Sequence, residues 1–177
     1  QNKLRIITIG RLSNEKRHDF LINAVSFIND IKLKVIILGN GPLKKNLNKI
    51  IKLKKLSTKI FIKSFDKNHE NYMNWSNLYI NTSDFEGFPN SVVEAINKNK
   101  FVLSRNSGGG INDIIVDNSV GKIISPDTPK NLAKEIKKFF AKGHLRKNIN
   151  KNILSKKFKN FLLKKLTDDY KKTFLSL

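Results

Sequence analysis

Glu86 and Glu94 bracket the stretch EGFPNSVVE, with seven residues between them. Paired carboxylates can act as general acid and base, can hold hydroxyls or a positive charge, or can be ordinary solvated acids. In a chain with 14 Asp and Glu against 35 Lys and Arg, two acids this close stand out. The residues between them narrow the choice. Gly87 relieves the backbone after Glu86, and Pro89 has no N–H to lose in a first helical turn. The pattern predicts a helix over 89–99, whose first N–H groups, around Asn90, Ser91 and Val92, are left to face a ligand. Glu94 falls in the second turn, where it can accept from two neighbouring hydroxyls, as on a ribose. Glu86 lies before the helix, where a favourable interaction with the positive helix end is reason enough for an acid. That reason explains Glu94 less well.

Other short loops carry residue types suited to an anion. GRLSNEK (10–16) offers Gly10 for a sharp turn and close backbone approach, then Arg11 and Lys16 beside a predicted helix start. An arginine fork and a lysine point charge suit a diphosphate. On this loop alone, solvated side chains in a lysine-rich chain account for both slightly better. GNGPL (39–43) places Gly39 and Gly41 around an Asn, which a plain turn explains and which also lets a flat ring lie on the backbone. NSGGGINDI (106–114) has three glycines before a short helix, a weak signal that does not match the dinucleotide fingerprint. SFDKNHE (64–70) has no chemistry legible in its residue types. His18, His69 and His144 lack metal-ligand spacing, and the absence of cysteine removes thiolate sites and disulfides, so no metal site is expected.

These loops need rigid elements to position them, and the chain reads as an alternation. Apolar, β-branched runs at 4–10, 34–39, 59–64, 77–83, 101–105 and 120–125 predict strands. Helical spacing predicts helices over 16–30, from Pro42 onward, around 70–75, over 89–99, as a weak turn near 112–116, and over 129–142. One or two further helices are expected over about 145–177, with Phe158, Phe161, Leu162, Leu166, Tyr170 and Phe174 as their apolar side. Alternating short strands and helices imply an α/β, Rossmann-like, doubly wound domain of about six parallel strands flanked by helices. Ligands of such sheets bind beyond the carboxyl ends of the strands, where all these loops lie.

The 177 residues, 39% of them hydrophobic, fit one globular domain over 1–177. No apolar run approaches the roughly 20 residues that span a bilayer. The chain opens on QNKLRIITIG, close to a strand and without Met, which reads as a fragment boundary that leaves N-terminal targeting unjudged. The net charge of +21 favours an anionic partner, whether a phosphorylated substrate, a nucleic acid or an anionic membrane face. Codon bias toward Lys, Asn and Ile produces the same surface without selection for binding. A nucleic-acid module is disfavoured because the phenylalanines mostly fall at core spacing rather than along a basic stripe.

Taken in order, the loops are far more specific than any one of them. From GRLSNEK through LGNGPLKKNL, DFEGFPNSVVEA and SGGGINDII to GKIISPDTPKNLAKEI, the chain resembles the C-terminal, donor-binding half of the family-4 retaining glycosyltransferases of GT-B architecture. The resemblance implies that Arg11 and Lys16 grip the diphosphate of a nucleotide-sugar and that Glu94 holds the ribose hydroxyls. It places Glu86 by the donor sugar and the reacting carbon, as an orienting or charge-stabilising group rather than a nucleophile. Phe88, Asn90, Ser91 and Val92 then contact sugar hydroxyls and phosphate, Gly10, Gly39 and Gly41 lie near the nucleotide, and Gly109 and Gly110 lie near the donor. Two positions depart from the family: Asp113 follows Asn112 where a proline and a longer acid are common, and Asn99-Lys100 replace a small residue. The implied reaction is transfer from a nucleoside diphosphate with retained configuration, with no metal or other cofactor. It implies an acceptor glycan or lipid-linked sugar held by an N-terminal domain absent from this chain, which alone is expected to be inactive. A cytoplasmic setting, peripheral to the inner face of a bacterial membrane, goes with a role in surface polysaccharide or glycan synthesis. A sugar-nucleotide epimerase of the same architecture is the alternative, against which the intact glutamate pair argues.

Overall fold

The computed structural model describes residues 3–66, 69–115 and 118–143. Six strands form one sheet: β1 (Leu4–Ile9), β2 (Leu33–Leu38), β3 (Ile60–Lys63), β4 (Leu78–Asn81), β5 (Phe101–Ser104) and β6 (Gly121–Ile123). The helices are α1 (His18–Ser26), α2 (Lys44–Leu53), α3 (His69–Trp75), α4 (Asn90–Asn97), α5 (Ile111–Ile114) and α6 (Pro129–Ala141), with a short 3-10 turn at Asn14–Lys16. The strand order is β3-β2-β1-β4-β5-β6, and every pairing is parallel. This is the expected doubly wound α/β sheet.

Strand alternation sends neighbouring side chains to opposite faces, and each face has its own core. Ile6, Ile37 and Ile80 join α1, α2 and α6 through Leu21, Val25, Leu47, Ile51, Leu132 and Ile136. Ile7, Tyr79 and Val102 join α3, α4 and α5 through Met73, Val92, Ile96 and Ile111. Burying each such side chain contributes about 1.5–3 kcal/mol, so burial on both faces fixes the register as well as the fold.

Two boundaries differ from the periodicity. The predicted helix over 16–30 begins at His18 and ends at Ser26. Arg17 has φ 46°, a left-handed conformation that breaks the helical path before His18. Ile28, outside the helix, is nevertheless fully buried, so its apolar signal belonged to the core rather than to a helical face. By contrast α6 starts as expected: Thr128 accepts from the Asn131 N–H at 3.2 Å, and Pro129 opens the helix. The predicted helices at 145–177 lie outside the described residues. Among the described residues, no helix is long and apolar enough to cross a membrane.

The strand order reverses between β1 and β4. The loops after these two strands therefore diverge from adjacent strand ends and leave a crevice between them, which is where open sheets of this kind bind ligands.

Candidate active site

The crevice brings together residues 70 positions apart. Lys16, in the loop after β1, donates from Nζ to Glu86 Oε1 at 2.6 Å, and Ser83 Oγ donates to the same oxygen at 2.6 Å. A methyl group on Gly10 would sit 3.4 Å from Lys16 Cδ, so the bare backbone there lets the lysine stem lie along the strand end. The two loops are stitched to each other beside this contact. The Asp84 N–H donates to Glu15 O at 2.8 Å, and Thr82 Oγ1 donates to Lys16 O at 2.8 Å. Arg11 is exposed on the same loop and makes no ion pair or side-chain hydrogen bond among the described residues. His18 shapes this loop from below: its buried ring places Nε2 3.2 Å from Arg11 O. Burial lowers the His18 pKa, which hydrogen bonds at the Arg11 and Gly10 carbonyls only partly offset, so the ring is neutral near pH 7.

Glu94 has a separate environment. Its Oε1 lies 3.5 Å from His69 Nε2, and the His69 ring stacks on Phe65 with centroids 4.9 Å apart. The two glutamates thus share no partner, which fits two binding roles better than one acid–base dyad. Tyr79 lies beneath both. It is fully buried, and its hydroxyl donates to Ile9 O at 3.3 Å. Burial pushes its phenol well up, with Ser91 and the Ile9 carbonyl only partly offsetting this, so it stays a neutral hydrogen-bonding post under α4.

The start of α4 holds fewer open donors than the helix pattern implies. The Asn90 N–H bonds Phe88 O at 3.0 Å, and the Val92 N–H bonds Pro89 O at 2.9 Å. A tight first turn uses these groups internally. The Ser91 N–H takes no backbone acceptor among the described residues, so it is the donor left at this helix end. Val92 is fully buried, Phe88 packs against the second core, and Asn90 is exposed.

The glycines serve close backbone approach. A Cβ on Gly39 would stand 1.9 Å from Gly10 O, and one on Gly41 would stand 2.5 Å from Leu12 O, so the loops after β1 and β2 touch directly. Gly109 has φ 53°, and a Cβ there would stand 1.9 Å from Glu86 O. The Gly110 N–H donates to Gly87 O at 3.1 Å, and the Glu86 N–H donates to Ser107 O at 3.1 Å. The glycine run therefore supports the Glu86 loop from behind.

Sequence reasoning missed Ser83, Asp84, Tyr79, His69 and Arg105. Arg105 closes the run FVLSR and Asp84 directly precedes the glutamate motif, but nothing in either segment says that they meet. Among the described residues, no group of three or more His, Cys, Asp or Glu could hold a metal ion.

The family model for glycosyl transferases group 1 matches residues 1–156. The N-acetylgalactosamine-N,N'-diacetylbacillosaminyl-diphospho-undecaprenol 4-alpha-N-acetylgalactosaminyltransferase of Campylobacter jejuni is 30% identical over 142 residues, covering 80% of this chain and 39% of that protein. Among solved structures, HepE of Anabaena in complex with UDP and glucose superposes with a TM-score of 0.82 at 21% identity, over 99% of this chain and 49% of that one. TarM of Staphylococcus aureus, solved with UDP, fondaparinux and alpha-GlcNAc-glycerol, has a TM-score of 0.82 at 25% identity, over 93% of this chain and 34% of that one. The chain spans less than half the length of each of these three proteins.

Proposed function

The chain belongs to the glycosyl transferases group 1 family, and we propose that it is the donor-binding domain of a retaining glycosyltransferase that uses a nucleoside-diphosphate hexose. The observation that carries this reading is the meeting of Lys16 and Glu86 at 2.6 Å in the switch-point crevice. A cation and an anion facing each other there suit the two ends of a donor: a diphosphate that gains charge as it leaves, and a sugar that becomes positive.

Arg11 and Lys16 bind the diphosphate and stabilise the charge that develops on its bridging oxygen as the glycosidic bond breaks. The Ser91 N–H adds a fixed dipole at the start of α4. Glu94 accepts from the ribose hydroxyls. Glu86, released from Lys16, orients the donor sugar and stabilises the positive anomeric carbon. Gly10, Gly39 and Gly41 line the nucleotide end, and Gly109 and Gly110 set the height of the Glu86 loop. UDP in the structures of HepE and TarM supports this assignment of the crevice.

The acceptor, by the same reading, is a glycan or lipid-linked sugar presented by a second domain, in the synthesis of a bacterial surface polysaccharide. The diphospho-undecaprenol substrate in the name of the Campylobacter relative supports a lipid-linked acceptor. Exposed Lys44, Lys45, Lys49 and Lys52 on α2 support contact with the anionic inner face of the cytoplasmic membrane. Recovery of all the protein in the supernatant after sedimentation with anionic vesicles at physiological salt contradicts that location.

The donor reading is tested by titrating the chain with UDP, GDP and ADP in a calorimeter, then repeating with Lys16→Ala and Glu94→Ala. One nucleotide should bind, and each variant should weaken it. If none binds, or if both variants bind as the parent does, the site assignment is wrong.

A further inference from the structure

Asp84 stands two residues before Glu86 and is gripped from both sides. Arg17, at the end of the loop after β1, brings Nη1 to within 3.2 and 3.3 Å of the Asp84 oxygens. Arg105, the first residue after β5, donates from Nη1 to Asp84 Oδ1 and, at 3.2 Å, to Thr82 O. The rest of its fork is also engaged. Nε and Nη2 reach the Asp127 carboxylate at 2.9 and 2.7 Å, and the guanidinium carbon lies 4.6 Å from the Phe20 ring centroid. The Arg105 side chain is only 13% exposed. One arginine therefore ties the loops after β4, β5 and β6 together and rests them on α1.

This differs from an ordinary surface ion pair. A planar fork that meets two carboxylates, a carbonyl and an aromatic face has few alternative poses. Donating hydrogen bonds to Asp127 and Asp84 raises the Arg105 pKa further. Burial alone would raise the Asp84 carboxyl, but the two arginines more than offset it and hold it below the usual carboxylate range. In a chain with 14 acids and a net charge of +21, two of the scarce carboxylates are placed on one arginine beside the candidate site.

The clamp acts on the loop that carries Glu86. From the β1 side, Glu15 O, Lys16 O and Arg17 hold residues 82–84; from the β5 side, Arg105 holds Thr82 and Asp84. Glu86 hangs from this held segment, with its carboxylate in two contacts of 2.6 Å.

We propose that Arg105, braced by Asp127 and acting through Asp84, is a positioning residue that sets where the Glu86 carboxylate stands against Lys16 and, on the donor-site reading above, against the donor sugar. Lysine cannot replace it, because a point charge reaches one of these partners and not all of them.

Two measurements on the parent, Arg105→Gln and Arg105→Lys test this. In the unliganded chain, amide hydrogen exchange at Asp84 and Glu86 should rise about tenfold or more in both variants, with the amides of Leu4–Ile9 unchanged. A rise spread evenly over the strands, or no local rise, overturns the proposal. With ligand, the ratio of UDP-glucose to UDP affinity is measured in a double-mutant cycle with Glu86→Gln. Arg105→Gln should lower the ratio about tenfold in the parent background and not at all in the Glu86→Gln background. Equal losses in both backgrounds show that Arg105 acts elsewhere and overturn it. If the parent binds no nucleotide or nucleotide-sugar, the donor reading fails, and the exchange measurement alone decides whether Arg105 positions Glu86.

Discussion

Glutamine in place of Glu86 keeps the shape of the side chain and an acceptor for Ser83 Oγ, but removes the charge that holds Lys16. The contact is 2.6 Å, between side chains that are 24% and 13% exposed. At an effective dielectric of about 20, two unit charges this close attract by about 6 kcal/mol. Taking both groups out of water offsets most of that gain. What remains is of the size of a charged hydrogen bond, about 1.5–3 kcal/mol. On the proposed donor site, Lys16 cannot serve a diphosphate and Glu86 at full strength together, so this amount is subtracted from phosphate affinity in the parent. Glu86→Gln should therefore bind UDP about tenfold more tightly or better, since 1.4 kcal/mol is tenfold. The same variant should lose the extra affinity that UDP-glucose has over UDP, because the sugar loses its carboxylate partner. Calorimetric titration of both ligands into parent and variant reads both numbers, with Lys16→Met as the control that weakens UDP in either background. Weaker or unchanged UDP binding in Glu86→Gln would show that Lys16 is not shared between the carboxylate and the phosphates.

Gly109→Ala should cost about 1–3 kcal/mol in a denaturant melt and should weaken UDP-glucose more than UDP, because the new methyl group meets Glu86 O at 1.9 Å and lifts that loop. Unchanged stability would mean that the glycine run is slack rather than seated. The folded-state pKa of His18 is lowered below its free value of ~6.5, so as pH falls below that value the unfolded chain takes up a proton that the folded chain refuses. Stability should therefore fall on the acid side, and His18→Gln should flatten the fall in Tm between about pH 7 and pH 5; parallel Tm curves for parent and variant would contradict a buried neutral ring. Tyr79→Phe should cost about 1 kcal/mol in the same melt, because the Ile9 carbonyl loses its donor under the site. A loss well above that size would point to repacking around the ring instead.

The sheet was legible because both of its faces are buried. Runs such as VIIL are apolar throughout because Val35 and Ile37 enter one core and Ile36 and Leu38 the other, and six such runs mark six strands. Pro129 and Thr128 mark the start of α6 because their chemistry acts locally. The candidate site was legible as a set of loops, since every strand end in a doubly wound sheet points the same way. Partnerships across the crevice were not legible. Lys16 and Glu86 meet only because β1 and β4 are neighbours, and neither segment encodes that neighbour. Asp84, Arg105 and Asp127 likewise lie in separate segments, and nothing in those segments says that they meet. The break at Arg17 was hidden as well, because a left-handed arginine has no local signature. The donors at the start of α4 were overcounted because the pattern shows where a helix begins, not how tightly its first turn closes.

On the proposed function, the switch-point crevice holds a nucleoside diphosphate on Lys16 and Glu94. A crystal structure of this chain soaked with UDP tests it most directly. The diphosphate should lie within hydrogen-bond distance of Lys16 Nζ and the Ser91 N–H, with Lys16 drawn away from Glu86 and the ribose hydroxyls on Glu94. UDP bound elsewhere, such as along the lysines of α2, or Lys16 still closed on Glu86 with the crevice occupied, would contradict a donor site built on Lys16 and Glu94.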